Sequence, residues 1–198
     1  MKRIVVTGGP CSGKTEALAL VREALAEAGV RALFVPEAAT DLILEGIAPW
    51  TLGSMKAFQV RVAQLELERE DAAAIAAAEQ GIDLVIYDRG LCDGAAYLPE
   101  EEYREALDEV AIDHETALAR YDAVFCLESL ASFDSSAYSC DNNAARTESA
   151  EEAAVVDRRI RAAWEKHPRF TFVPCTADFD AKVRALCRGI AELATRSS

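Results

Sequence analysis

Apolar residues along the chain fall into short β-branched runs separated by longer stretches with helical spacing. The first run, Ile4-Val5-Val6, ends at Thr7-Gly8-Gly9 and predicts a buried strand. Over residues 14–28, Ala17, Leu18, Val21 and Leu25 recur at the helical period, and Gly29 supplies a C′ stop. Ala32–Val35 reads as a second strand closed by Pro36, followed by a short helix over residues 38–45. Residues 47–53 read as a loop carrying Trp50, and Ser54 as the N-cap of a long helix that Gly81 ends.

Residues 82–87 predict a third strand, and its nearly continuous apolar run implies burial on both faces, as in a parallel sheet. Helical material over 101–120 leads to a fourth strand, Ala123–Leu127. Residues 131–145 are polar and aperiodic, a length at which loops are usually functional. Ser149 and Glu152 make a capping-box pair for a helix over 149–167; Phe170–Val173 and a helix over 178–194 complete the pattern. Strands alternate with helices throughout, which predicts an α/β fold with a central parallel sheet in a single domain over 1–198.

Composition narrows the partners. The 198 residues are 51% hydrophobic and 28% charged, as in a folded globular protein. A formal charge of -13 opposes a broad nucleic-acid or anionic-membrane surface, so any phosphate site must be a local cluster of positive groups. The six cysteines include no C-x-x-C pair, which signals neither zinc nor a redox dithiol and fits reduced thiols in a cytoplasmic protein. Neither a signal-peptide core nor an apolar stretch of about 20 residues is present. No oligomeric state is implied.

Gly8-Gly9-Pro10-Cys11-Ser12-Gly13-Lys14-Thr15 fits the pattern G-x-x-x-x-G-K-[ST] in full. Glycine lets the backbone turn its N–H groups toward phosphate oxygens, Lys14 reaches the β- and γ-phosphates, and the Thr15 hydroxyl is a ligand for Mg²⁺. The third strand delivers Asp88 at its carboxyl end, where a carboxylate holds Mg²⁺ directly or through water. Arg89 follows it. Many hydrolytic relatives place a water-polarising glutamate there, and a cation instead suits a phosphate or acceptor oxygen, so transfer is favoured over hydrolysis. No N-K-x-D stretch occurs, which leaves ATP as the expected donor.

Glu37, just after the second strand and Pro36, is the candidate to take the proton of an acceptor hydroxyl or to bind the acceptor, with Asp41 as its neighbour. Its alternative reading is a charge favourable to a helix N-terminus. Arg146, at the end of the polar loop, is placed to cover the transferring phosphoryl group from a closing lid over 131–147; Arg158 and Arg159 are weaker candidates. The helix carrying Phe58, Gln59, Arg61 and Gln64 is the expected wall of the acceptor pocket, with at most one glutamine reading the substrate.

Together, the phosphate loop, Val35-Pro36-Glu37-Ala38-Ala39, Phe58-Gln59 and Tyr87-Asp88-Arg89-Gly90 with Asp93 resemble the AAA_28 family of P-loop proteins. That group is related to ribosylnicotinamide kinase domains and more distantly to deoxynucleoside kinases. The resemblance implies a P-loop NTPase fold, with a five-stranded parallel sheet and the phosphate-loop strand at its centre. It also implies a lid arginine matched by Arg146, an acceptor-side acid matched by Glu37, and backbone near Cys175-Thr176 packed on adenine. Thr40 stands where an arginine is common in the family. The expected activity is ATP- and Mg²⁺-dependent phosphoryl transfer to a small, nucleoside-like acceptor. The competing expectation is an ATP-controlled regulatory or chaperone-like switch, which needs an exposed apolar surface in place of an acceptor pocket.

Overall fold

A computed structural model describes residues 1–133, 149–176 and 178–195. Five strands, β1 (Lys2–Gly8), β2 (Ala32–Val35), β3 (Leu84–Asp88), β4 (Ala123–Leu127) and β5 (Phe170–Val173), pair in the order β2-β3-β1-β4-β5. Every pairing is parallel. The period of two along β1 divides the core. Ile4 and Val6 pack with Leu84 and Ile86 against helices α1 (Lys14–Glu27) and α9 (Phe179–Thr195), through Leu18, Val21, Leu186 and Ile190. Val5 turns the other way, joining Val85 and Tyr87 under α4 (Met55–Gln80) and α8 (Ala150–Trp164), through Ala73, Ala77, Ile160 and Trp164. Both faces are covered, which explains the unbroken apolar runs of the central strands.

Three stretches depart from the periodicity. Residues 101–120 form two helices, α5 (Glu100–Asp108) and α6 (His114–Ala119), because Ala111 adopts φ 56° and the Asp113 side chain caps a new start by accepting Thr116 N at 2.7 Å. The expected loop over 47–53 contains α3 (Pro49–Leu52), a single turn with proline at its first position, after α2 (Ala38–Leu44). The beginning of the expected lid segment is helical, α7 (Leu130–Phe133); residues 134–148, and with them Arg146, lie outside the described residues. A 3-10 turn, Leu91–Ala96, follows β3.

β3 and β4 flank β1 on opposite sides, so the carboxyl edge of the sheet divides there, the place where open α/β sheets bind ligands. Among the described residues no helix is long and apolar enough to cross a membrane.

Candidate functional site

The chain leaving β1 wraps back on itself between Gly8 and Lys14. Gly8 (φ 152°) and Gly13 (φ 73°) take conformations that a side chain rarely adopts, and a Cβ on Gly13 would stand 2.5 Å from Phe179 Cε2. Cys11 takes φ 58° without being glycine, so the loop holds strained backbone. Gly13 caps α1 with no side-chain hydrogen bond, whereas Ser54, Asp113 and Ser149 cap α4, α6 and α8. Among the described residues the first amides of α1 therefore have neither an intrahelical nor a side-chain acceptor, and with the helix dipole they suit an anion.

The loop is fixed from behind. Asp157 Oδ1 accepts Gly9 N at 2.9 Å and Ser129 N at 3.2 Å, and Oδ2 accepts Ser132 Oγ at 2.8 Å. Ser129 Oγ donates to Pro10 O, and Leu130 N to Cys11 O at 3.2 Å. From α9 the buried Lys182 donates to Ser12 O at 2.7 Å and Glu128 O at 2.6 Å. Burial pushes the Lys182 ammonium below its ordinary range. Sequence reasoning missed both Asp157 and Lys182. A buried acid amid Ala153, Ile160 and Trp164, at helical spacing, is the one signal that could have flagged Asp157.

In front of the loop a chain of charges runs across the sheet edge. Lys14, 7% exposed, donates to Asp88 Oδ1 and lies 3.9 Å from Glu37 Oε2. Arg89 Nε donates to Glu37 Oε1 at 2.7 Å, and Arg89 Nη1 to Asp93 Oδ1 at 3.0 Å. Arg89 reaches both because it turns at φ 70° while its own N–H still bonds Val6 O at 3.0 Å. Asp93 is in turn fixed by Thr7 Oγ1, by Gly90 N at 3.1 Å and by Trp164 Nε1 at 3.1 Å. Burial alone would raise the Glu37 carboxyl, but Arg89 and then Lys14 hold it down to about 2. Burial lifts Asp88 above its ordinary value although Lys14 opposes this. The structure thus brings Lys14, Glu37, Asp88 and Arg89 into one constellation.

Glu37 also sits at the N-cap of α2 but caps no backbone amide there; its carboxylate goes to Arg89 and accepts the Thr40 hydroxyl of that helix at 3.2 Å. Asp41 pairs with Arg69 at 2.6 Å. Thr15 is exposed on the first turn of α1. Thr176 follows β5 on the same sheet edge, its hydroxyl donating to Asp178 O at 2.6 Å. Arg158 is exposed, and Arg159 Nη1 is directed to Ala96 O at 3.5 Å.

The expected acceptor wall is partly corrected. Phe58 packs in a small core with Ala38, Leu42 and Val62, and Arg61 donates to Gln64 Oε1. The face of α4 that meets the site instead carries Gln59, Ala63, Glu66 and Glu70, spaced by one turn each. Of the two glutamines, Gln59 lines a crevice and Gln64 is not among its lining residues. Polar residues inside the apolar period of a long helix were the available signal for Glu66 and Glu70.

Fold and loop together define a P-loop α/β domain, the architecture of nucleotide-binding proteins. The family model of AAA_28, an AAA domain, matches residues 3–182, and the chain belongs to that family. No match is found among curated proteins.

Proposed function

We propose that the protein is a phosphotransferase that moves the γ-phosphoryl group of ATP to a hydroxyl of a small, nucleoside-like metabolite. The observation that carries this reading is the Glu37–Arg89–Asp93 chain, which lies beside the Lys14–Asp88 pair and borders a crevice lined by Val35, Pro36, Asp88 and Arg89. A phosphate cradle with an adjoining concave site is what transfer requires. Kinship to ribosylnicotinamide kinase and deoxynucleoside kinase domains belongs to the same reading.

In the reaction the acceptor oxygen forms a bond to the γ-phosphorus, the bond from the γ-phosphorus to the bridging oxygen breaks, ADP leaves and the acceptor proton departs to a base or to water. Lys14 would exchange Asp88 for phosphate oxygens, and the amides of Gly13, Lys14 and Thr15 would line the cradle, whose loop from Gly8 to Ser12 is shaped by Gly9 N on Asp157 and Ser12 N on Gly9 O. Arg89, held by Glu37 and Asp93, would stabilise charge on the acceptor side. Glu37 at about 2 is a strong hydrogen-bond acceptor and a weak base at neutral pH, so it orients the hydroxyl; as Lys14 turns to phosphate, Glu37 loses one of its two cations and gains basicity. Thr15 and Asp88 offer oxygen donors, the chemistry Mg²⁺ prefers, and would hold it; the ion when bound neutralises charge on the β- and γ-phosphates. Thr176 would lie by the adenine. Arg146 keeps its proposed lid role.

A second reading, an ATP-controlled switch, draws on exposed Leu44 (80%) and Trp50 (75%) at α2 and α3. A transfer assay with γ-labelled ATP across nucleosides, sugars and aminoglycoside-type alcohols separates the two. Labelled product from one acceptor class supports the kinase. Tight ATP binding with no product from any acceptor moves the assignment to the switch.

A further inference from the structure

Two crevices open between α4 and the carboxyl end of β3. The first is lined by Pro36, Glu66, Glu70, Tyr87 and Arg89 among others, and the second by Gln59, Glu66, Gly94 and Tyr103 among others. The enclosed part of each is only about 10 Å³, the size of one water and far below the roughly 300–1,000 Å³ of ordinary small-molecule sites, so a ligand would fill them only as the inner ends of a site open to solvent. Glu66 borders both.

The charges around them are paired with one exception. Glu70 takes Arg3, Arg120 Nε at 2.6 Å and the Tyr121 hydroxyl. Arg89 has Glu37 and Asp93, Asp88 has Lys14, and Arg69 has Asp41. Among the described residues Glu66 makes no hydrogen bond and no ion pair. Burial, and then the nearby Asp93 and Glu70, push its carboxyl well above the ordinary range, with Arg89 opposing. The Tyr87 hydroxyl, in the wall of the first crevice, is not free in the same way: it lies beside the Arg3 guanidinium, which holds it against the upward push of burial. A carboxyl left without a partner between two crevices favours a ligand that brings its own polar hydrogen.

We propose that the two crevices are halves of one acceptor site and that Glu66, the residue between them, binds the acceptor through a hydrogen-bond donor other than the hydroxyl that is phosphorylated. The substrate class is therefore an alcohol with a second donor, an amine, amide NH or further hydroxyl, on the side away from the phosphates. This rests on the kinase reading above, and it adds a selection rule which that reading lacks. Gln59, on the second crevice, is the neutral polar residue two turns earlier on the same face of α4.

The test uses the full chain and three proteins: wild type, Glu66→Gln and Glu66→Ala. Pairs of alcohols that differ only in the second donor, such as an amino-nucleoside or amino-sugar beside its deoxy counterpart, are assayed with γ-labelled ATP. The same pairs are added at millimolar concentration to protein carrying ¹³C-labelled glutamate carboxyls, with Glu66→Gln used to assign the Glu66 signal. Expected is a wild-type preference for the donor-bearing member, a rise in KM of roughly tenfold for Glu66→Ala, a smaller rise for Glu66→Gln, and little change in kcat or in ATP affinity. Equal KM in all three proteins overturns the proposal. If wild type phosphorylates nothing but the Glu66 signal moves only with donor-bearing members, the site assignment stands and the kinase reading falls. A Glu66 signal that ignores every compound, alongside no phosphorylated product, overturns the site as well.

Discussion

One carboxylate oxygen, Asp157 Oδ1, holds the amide of Gly9 at 2.9 Å from a helix that begins more than a hundred residues later in the chain. The same side chain takes Ser129 N and Ser132 Oγ, so α7, α8 and the phosphate loop meet on one buried group. Gly9 has no room for anything larger: a Cβ there would lie 2.6 Å from Asp157 Cβ. Asp157→Ala leaves two buried amides unsatisfied, a loss of about 2–4 kcal/mol in stability. Denaturant unfolding should show that loss, and calorimetric titration should show weaker ATP binding. Undiminished ATP affinity in a destabilised variant would mean that the loop keeps its shape without this support.

Lys14 pairs with Asp88 and faces Glu37, and in the proposed reaction it also binds the donor. Lys14→Ala should abolish phosphoryl transfer, since the cation at the β- and γ-phosphates is gone. It also leaves Asp88 and Glu37 facing each other without their shared cation. Cys11→Ala should keep transfer, because the proposed cradle is built from backbone, whereas Cys11→Gly removes the left-handed strain and should remain within about 1 kcal/mol of wild type in stability. Turnover with labelled ATP and thermal unfolding of the three variants check all of this. A fully active Lys14→Ala protein removes the phosphate-loop assignment.

Local signals carried most of the fold. The apolar runs at residues 4–6 and 123–127 lie inside strands of the central sheet, and the glycines at 29 and 81 follow helix ends because their positive φ needs no long-range information. Asp88 and Arg89 were readable because a strand delivers its last residue to a known edge. The break near Ala111 was not readable, since the apolar period runs through it and only the Asp113 cap restarts the helix. Asp157 and Lys182 act across separations of 148 and 170 residues on backbone groups of the loop. A sequence pattern holds no record of those. The pairing of Arg89 with Glu37, 52 residues apart, is likewise a product of strand order, which puts β2 beside β3.

Acid should unlock that pairing. Glu37 ionises near 4.5 when unfolded and at about 2 when folded, so it binds fewer protons in the native state between those values. Its contribution to stability is complete above about 4.5 and disappears as the pH falls toward 2. Glu37→Gln should therefore cost on the order of 1–3 kcal/mol at neutral pH and make the pH dependence of stability shallower across that window. Chemical denaturation at several pH values reads both effects. Parallel pH profiles for the variant and wild type would show that the Arg89 contact does not hold the carboxyl down.

The same substitution decides what Glu37 does in catalysis. Glu37→Gln keeps the size and polarity of the side chain but removes its charge, while Lys14, Thr15 and Asp88, the proposed ligands of ATP and Mg²⁺, are unaltered. ATP affinity measured by calorimetry should change little. Transfer should respond according to role. A carboxylate that only orients the acceptor hydroxyl loses about tenfold on becoming an amide. One that takes the proton once Lys14 has turned to the phosphates loses about 10²- to 10⁴-fold, and its rate in wild type should rise with pH through the acidic range. A loss near tenfold with a flat pH profile assigns orientation, and the larger loss with the pH dependence assigns proton transfer. Equal transfer rates in the two proteins would take Glu37 out of the mechanism and leave its pairing with Arg89 as a support for the site alone.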